Sequence, residues 1–218
     1  MSTSSYRAWG IALALAGVLA FSVRPILIKL AYAYVTDPVT LIALRMVFSL
    51  PFFAAMAFWA RRDTARTPLT RRDWQAVLLL GFLGYYLASF LDFLGLQYIS
   101  AGLGRLMLFL YPTITVLLSA LFLGKYVSRR DIVALVISYA GLALVLSQGF
   151  AGENRNLMLG ALLVFGSALC YAVYLVSSSR VVTRIGSVRF TAYATSVASL
   201  LCILQFLLLR PLSALQLP

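Results

Sequence analysis

Seven long apolar stretches alternate with short polar breaks along the chain, at 8–31, 38–60, 74–98, 102–123, 132–147, 157–179 and 188–209. Each is close to the roughly 20 residues that a helix needs to cross a bilayer. None alternates polar with apolar residues as a barrel strand would, so the pattern predicts an all-α, polytopic transmembrane helix bundle. Ala12, Ala16 and Ala20 in the first stretch, and Gly166 with Cys170 in the sixth, are the candidates for small faces through which helices approach closely. The first stretch follows a single arginine, Arg7, as the apolar core of a secretory signal does. It is too long for one, runs on through Lys29 and heads a series of similar segments, which marks a retained helix.

Composition agrees with hydrocarbon as the solvent: of 218 residues 62% are apolar and 11% charged, where soluble domains carry about a quarter charged residues. The net charge of +12 would suggest nucleic acid in a soluble protein, so its distribution decides its meaning. Arg7, then Arg61, Arg62, Arg66, Arg71 and Arg72, then Lys125, Arg129 and Arg130, then Arg180, Arg184 and Arg189 fall in alternate breaks. The other breaks hold only Arg155 and Arg210. By the positive-inside rule this twelve-to-two split predicts a multi-pass protein of the inner (plasma) membrane with a cytoplasmic N-terminus. The charge is a topology signal, and no nucleic-acid partner is expected.

Enzyme chemistry has little to stand on. With no histidine, a Ser-His dyad and an imidazole-ligated metal are excluded. Asp92 is the single acid within a span, which excludes a paired aspartyl site, and no P-loop motif occurs. Cys170 and Cys202 lie inside apolar stretches, where a thiol packs as a small apolar group. Gly102 and Gly104 beside Arg105 read as close packing near a helix start. Neither catalytic residues nor a cofactor or metal are expected.

What remains are charges inside the membrane, each costing roughly 2.5–3.5 kcal/mol at a helix centre. Arg24 and Arg45 are equidistant from a turn centred between Tyr34 and Val35, and Asp92 and Arg105 from one centred between Tyr98 and Ile99. Each pair therefore sits at one level. Asp92 opposite Arg105 reads as an ion pair between two helices, whereas two cations at one depth repel unless an anion, water or Asp92 lies between them. The expectation is that Arg24, Arg45, Asp92 and Arg105 edge a polar cavity that binds an anionic or zwitterionic small molecule. The competing expectation is snorkelling to the headgroups, strongest for Lys29. Pro25, Pro51 and Pro112 interrupt spans, and Pro112, the most central, is the expected helix hinge. Tyr85, Tyr86, Tyr111, Tyr171 and Tyr174 are available to line a path.

Gly95-Leu96-Gln97-Tyr98-Ile99-Ser100-Ala101-Gly102-Leu103, Leu110-Tyr111-Pro112-Thr113, Leu121-Phe122-Leu123-Gly124, Gly141 and Leu41-Ile42-Ala43-Leu44-Arg45 together resemble the EamA-type repeat of the drug/metabolite transporter superfamily. The resemblance implies ten helices in two five-helix repeats, both termini cytoplasmic, and transport of a metabolite such as an amino acid by alternating access. Residues 1–147 then form the first repeat, 148–156 an external linker, and 157–218 the start of a second, inverted repeat, incomplete by three helices. Sliding the chain by 150 places Gly10 on Gly160, Leu13 on Leu163, Val47 on Val197 and Ser49 on Ser199 without a gap. It also places Tyr174 on Arg24 and Thr195 on Arg45, so the charged site is asymmetric. Lys125 stands where the family often has Glu. The partners implied are a small solute, membrane lipid, and a second copy of the chain or separate helices supplied in trans. A non-transporting membrane scaffold built on the partial fold is the alternative reading.

Overall fold

The computed structural model describes residues 3–35, 37–61, 68–124, 126–146 and 156–215. They form seven long helices: α1 (Thr3–Ala31), α2 (Pro38–Arg61), α3 (Arg71–Leu96), α4 (Ala101–Leu123), α5 (Arg129–Leu146), α6 (Leu157–Ile185) and α7 (Ser187–Leu209). All but α5 are long and apolar enough to cross a membrane, and α5 is apolar beyond the Arg129, Arg130 and Asp131 of its first turn. The expected all-α polytopic bundle is the architecture found. The linker expected at 148–156 lies, apart from Asn156, outside the described residues.

Helix ends follow local chemistry. α3 starts three residues earlier than its apolar run because Thr70 caps it: the Thr70 hydroxyl accepts from the Asp73 N–H, and the Asp73 carboxylate accepts from the Thr70 N–H at 2.7 Å. The break expected after residue 179 is absent. α6 continues to Ile185 because Val181, Val182 and Ile185 recur at helical spacing and pack against Val77, Leu80 and Phe190. Gly186 alone then reverses the chain into α7, at φ 87°, ψ 146°, a conformation open to glycine. Arg180, Arg184 and Arg189 thus sit on helix ends and not in a loop.

The centre of the bundle is made by α2, α3, α4, α6 and α7. α3 with α6 forms the most extensive interface, followed closely by α2 with α7, which the 150-residue shift superposes. Close approach comes from glycines the apolar pattern did not single out. A Cβ on Gly95 would stand 2.9 Å from the Gly160 carbonyl oxygen, and one on Gly160 would meet Tyr98 and Ile99 side chains at 2.8 and 2.6 Å. Ala12, Ala16 and Ala20 are instead exposed, since α1 touches the bundle mainly through its last turns, against α3 and α4. Gly166 makes only an ordinary contact with Leu91, and Cys170 is half-buried.

Two irregularities shape the interior. Over Gly81–Leu87 α3 widens into a π-helical stretch that seats Gly81 on the Ala194 backbone and Gly84 on the Tyr174 ring. α4 breaks between Ala101–Leu108 and Tyr111–Leu123. Pro112 stands in the first turn of the second half, where its missing N–H has no intrahelical bond to lose.

Candidate functional site

Four helices bring the in-span charges together. Arg24 of α1 reaches Asp92 of α3, Nη2 to Oδ2 3.0 Å, with the side chains 22% and 9% exposed. Arg45 of α2 approaches the same place: the guanidinium carbons of Arg24 and Arg45 lie 5.6 and 5.7 Å from the centroid of the Phe93 ring. That ring, adjacent to Asp92 and 1% exposed, lies within cation–π reach of both like charges.

Arg105 of α4 is placed otherwise than expected. It does not pair with Asp92. Its Nη2 donates to the backbone carbonyl of Phe21 on α1, and its guanidinium carbon lies 4.7 Å from the Phe21 ring centroid. The reason is Pro25. In a regular helix the N–H of residue 25 would bond the carbonyl of residue 21, and proline has none to give. The carbonyl orphaned on α1 is the acceptor that captures Arg105, while Asp92 is taken by Arg24.

These groups line two adjoining cavities. One, about 250 Å³, is bounded by Arg24, Arg45, Asp92, Ser89, Tyr85 and Tyr111, with Phe21, Ser167 and Tyr171 completing its wall. The other, about 510 Å³, lies between α1 and α4 and shares Phe21, Leu108, Tyr111 and Tyr171, with Arg105 at its edge. Among the described residues Asp92 is the one acid that borders either space, so three arginines and one aspartate leave the region net positive. Pro112 is close by in sequence, at the break in α4 next to Tyr111. Lys29 does not line these cavities; it is half-buried near the end of α1.

Towards the arginine-rich end the space is closed by aromatic rings. The Tyr174 hydroxyl donates to that of Tyr85 at 3.0 Å, and the Tyr111, Tyr171, Tyr174 and Phe190 rings follow one another at 5.1, 5.7 and 6.0 Å. Tyr86 packs instead on Phe82 and Phe90. Gly84 permits this closure, since a Cβ there would fall 2.3 Å from the Tyr174 ring. Sequence reasoning missed Gly84, Ser89 and Phe93; the pair Gly81 and Gly84 just before Tyr85 was the available signal for the first.

Ion pairs lie at both ends of the bundle. At the arginine-rich end Arg184 of α6 donates to Asp73 and, at 3.2 Å, to the Thr70 hydroxyl of the α3 cap. At the opposite end Arg210 grips Asp37 with two bonds, 3.0 and 2.8 Å, tying the start of α2 to the end of α7. The Arg210 hydrogen bond, reinforced by Thr40, lowers the Asp37 carboxyl to about 2 despite the opposing effect of burial.

Comparison with known proteins gives a family match. The model of the EamA-like transporter family matches residues 8–147. The chain is 30% identical over 184 residues to "Uncharacterized transporter YcbK" of Bacillus subtilis (strain 168), covering 84% of this chain and 59% of that one. It is 27% identical over 146 residues to "Uncharacterized transporter YvbV" of the same organism, covering 67% and 47%. The chain thus spans about half to three fifths of the length of these relatives. A protein of known crystal structure shares the fold, with a TM-score of 0.63 at 23% identity, over 89% of this chain and 65% of that one.

Proposed function

The chain belongs to the EamA-like transporter family, and from that premise we propose that it moves a small anionic or zwitterionic solute across the inner membrane by alternating access. Arg24, Arg45, Asp92 and Arg105 are the solute-binding residues of this reading. The observation that carries it is the convergence of all four, from four separate helices, on adjoining cavities inside an apolar bundle. Charges that had snorkelled to headgroups would be spread along helix ends, whereas Arg24 and Arg45, both lining one cavity, share one buried ring beside it.

The alternating states need one end closed while the other opens. The Tyr85–Tyr174 contact supports a gate on the arginine-rich side, which the positive-inside rule makes cytoplasmic. The break in α4 at Pro112 is the hinge of this scheme, because its two halves are not joined by a continuous ladder. The test is transport by Arg24→Gln and Arg45→Gln in the intact protein, as uptake or efflux of metabolites that differ between wild-type and deletion cells. Loss of transport with normal membrane insertion is expected for both. Normal transport by both variants would return the arginines to a structural role.

A further inference from the structure

We infer that the cavity selects a small organic anion without a cationic group, a carboxylate on an apolar, ring-sized body, with Arg45 as its anchor. The inference rests on the reading of the cavity as the solute site and narrows its ligand.

Several polar groups of the wall already have partners. Among the described residues Asp92 is the one acid on the wall, and Arg24 holds it at 3.0 Å. A zwitterion would need a second carboxylate for its ammonium group, and Asp37, Asp73 and Asp131 lie at helix ends. Arg105 is engaged by the Phe21 carbonyl. Arg45 differs: it is exposed within the bundle and lies over Phe93, with no ion-pair or hydrogen-bond partner among the described residues. Beside it the Nε of Arg24 is buried without an acceptor. A guanidinium nitrogen buried without an acceptor is costly and a carboxylate supplies one, with the bidentate geometry that arginine favours.

The rest of the wall suits the anion's other end. The Phe21, Tyr85, Tyr111 and Tyr171 side chains bound the 250 Å³ space, which equals the share of about eight water molecules. The Ser167 hydroxyl is spent on the Ala88 carbonyl at 2.7 Å, and that of Tyr85 on Tyr174. The wall therefore offers cations and rings in quantity and just one carboxylate, already paired. An incoming ammonium would face Arg24 and Arg45 in a medium of low dielectric, which repels it. The aromatic faces attract an ammonium by cation–π interaction, so the two ligand classes have to be compared directly.

Three probes of similar size do so: benzoate, phenylalanine and phenethylammonium, titrated at neutral pH into the purified protein in lipid nanodiscs, with binding followed calorimetrically and by thermal shift. Benzoate is expected to bind, phenylalanine at least about tenfold more weakly, and phenethylammonium not at all, because a charge-assisted bond gained or a charge left unpaired is worth that much. Arg45→Gln is expected to weaken benzoate by a similar factor, with Arg45→Lys restoring part of it. Phenylalanine or phenethylammonium binding as tightly as benzoate would overturn the inference, as would failure of all three to bind or benzoate binding indifferent to Arg45→Gln. The ranking in the wild-type protein decides without any variant having to fold. Preferred binding of the zwitterion, together with loss of transport in Arg24→Gln and Arg45→Gln, would leave the cavity as the solute site and remove only its anion selectivity; transport indifferent to both variants would remove the site itself.

Discussion

Replacing Arg105 by Leu should destabilise the bundle only as long as Pro25 is present. The Phe21 carbonyl has lost its helical donor to Pro25, and the Arg105 guanidinium supplies the replacement. A hydrogen bond from a charged donor is worth about 1.5–3 kcal/mol, and in hydrocarbon no water compensates an orphaned carbonyl. Arg105→Leu alone is therefore expected to cost about 1.5–3 kcal/mol, a fall of about 3–12 °C in Tm at the usual scaling for a chain of this size. In a Pro25→Ala background the backbone N–H restored at that position would close the ordinary i to i−4 bond, and the carbonyl would need no second donor. The cost of Arg105→Leu should then shrink by about 1–2 kcal/mol, which is the coupling energy of the cycle. The assay is thermal unfolding of wild type, both single variants and the double variant in one detergent. Strictly additive shifts would show that Pro25 and Arg105 are independent, and the account of why Arg105 leaves Asp92 to Arg24 would be wrong.

Asp92→Asn should destabilise more than Arg24→Gln, because removing the acid leaves three cations around two adjoining cavities whereas removing Arg24 leaves Asp92 near Arg45 and Arg105; a cost of about 3–5 kcal/mol is expected for Asp92→Asn, and equal or reversed melting shifts would contradict the charge count. Gly160→Leu should force α3 away from α6 and cost about 1–3 kcal/mol, while Gly10→Leu, its counterpart under the 150-residue shift, meets nothing within 4 Å and should leave the melting temperature unchanged; comparable shifts for the two would refute that contrast. Gly186→Ala should lose about 1–3 kcal/mol because the α6–α7 reversal sits at φ 87°, as measured by the same melts. The Asp37 carboxyl is lowered to about 2 from an ordinary 3.8, so the stability it lends is fully present above pH 4 and lost as pH falls through 2. At an exposed pair that amounts to about 0–1 kcal/mol; Arg210→Gln should flatten the corresponding stretch of the Tm-against-pH curve, and an unchanged curve would show the pair to be inert.

The apolar pattern alone determined that the chain is a bundle of membrane-length helices, because a segment without polar partners can lie in hydrocarbon only as a helix that satisfies its own backbone. The same pattern marked Arg24, Arg45, Asp92 and Arg105 as charges needing a reason, and turn symmetry put them at common depths. Depth, however, is a one-dimensional coordinate. Which charge meets which depends on how each helix is rotated and what faces it, and there a proline four residues from a carbonyl outweighed the level at which Arg105 lies. The alanine stripe of α1 is a regular small face that little covers, while Gly95 and Gly160, isolated in their own stretches, become a contact only when α3 and α6 are laid side by side. The extension of α6 through Ile185 was likewise hidden by its arginines, which hydropathy reads as a loop although the intervening apolar residues were already keeping the helical period.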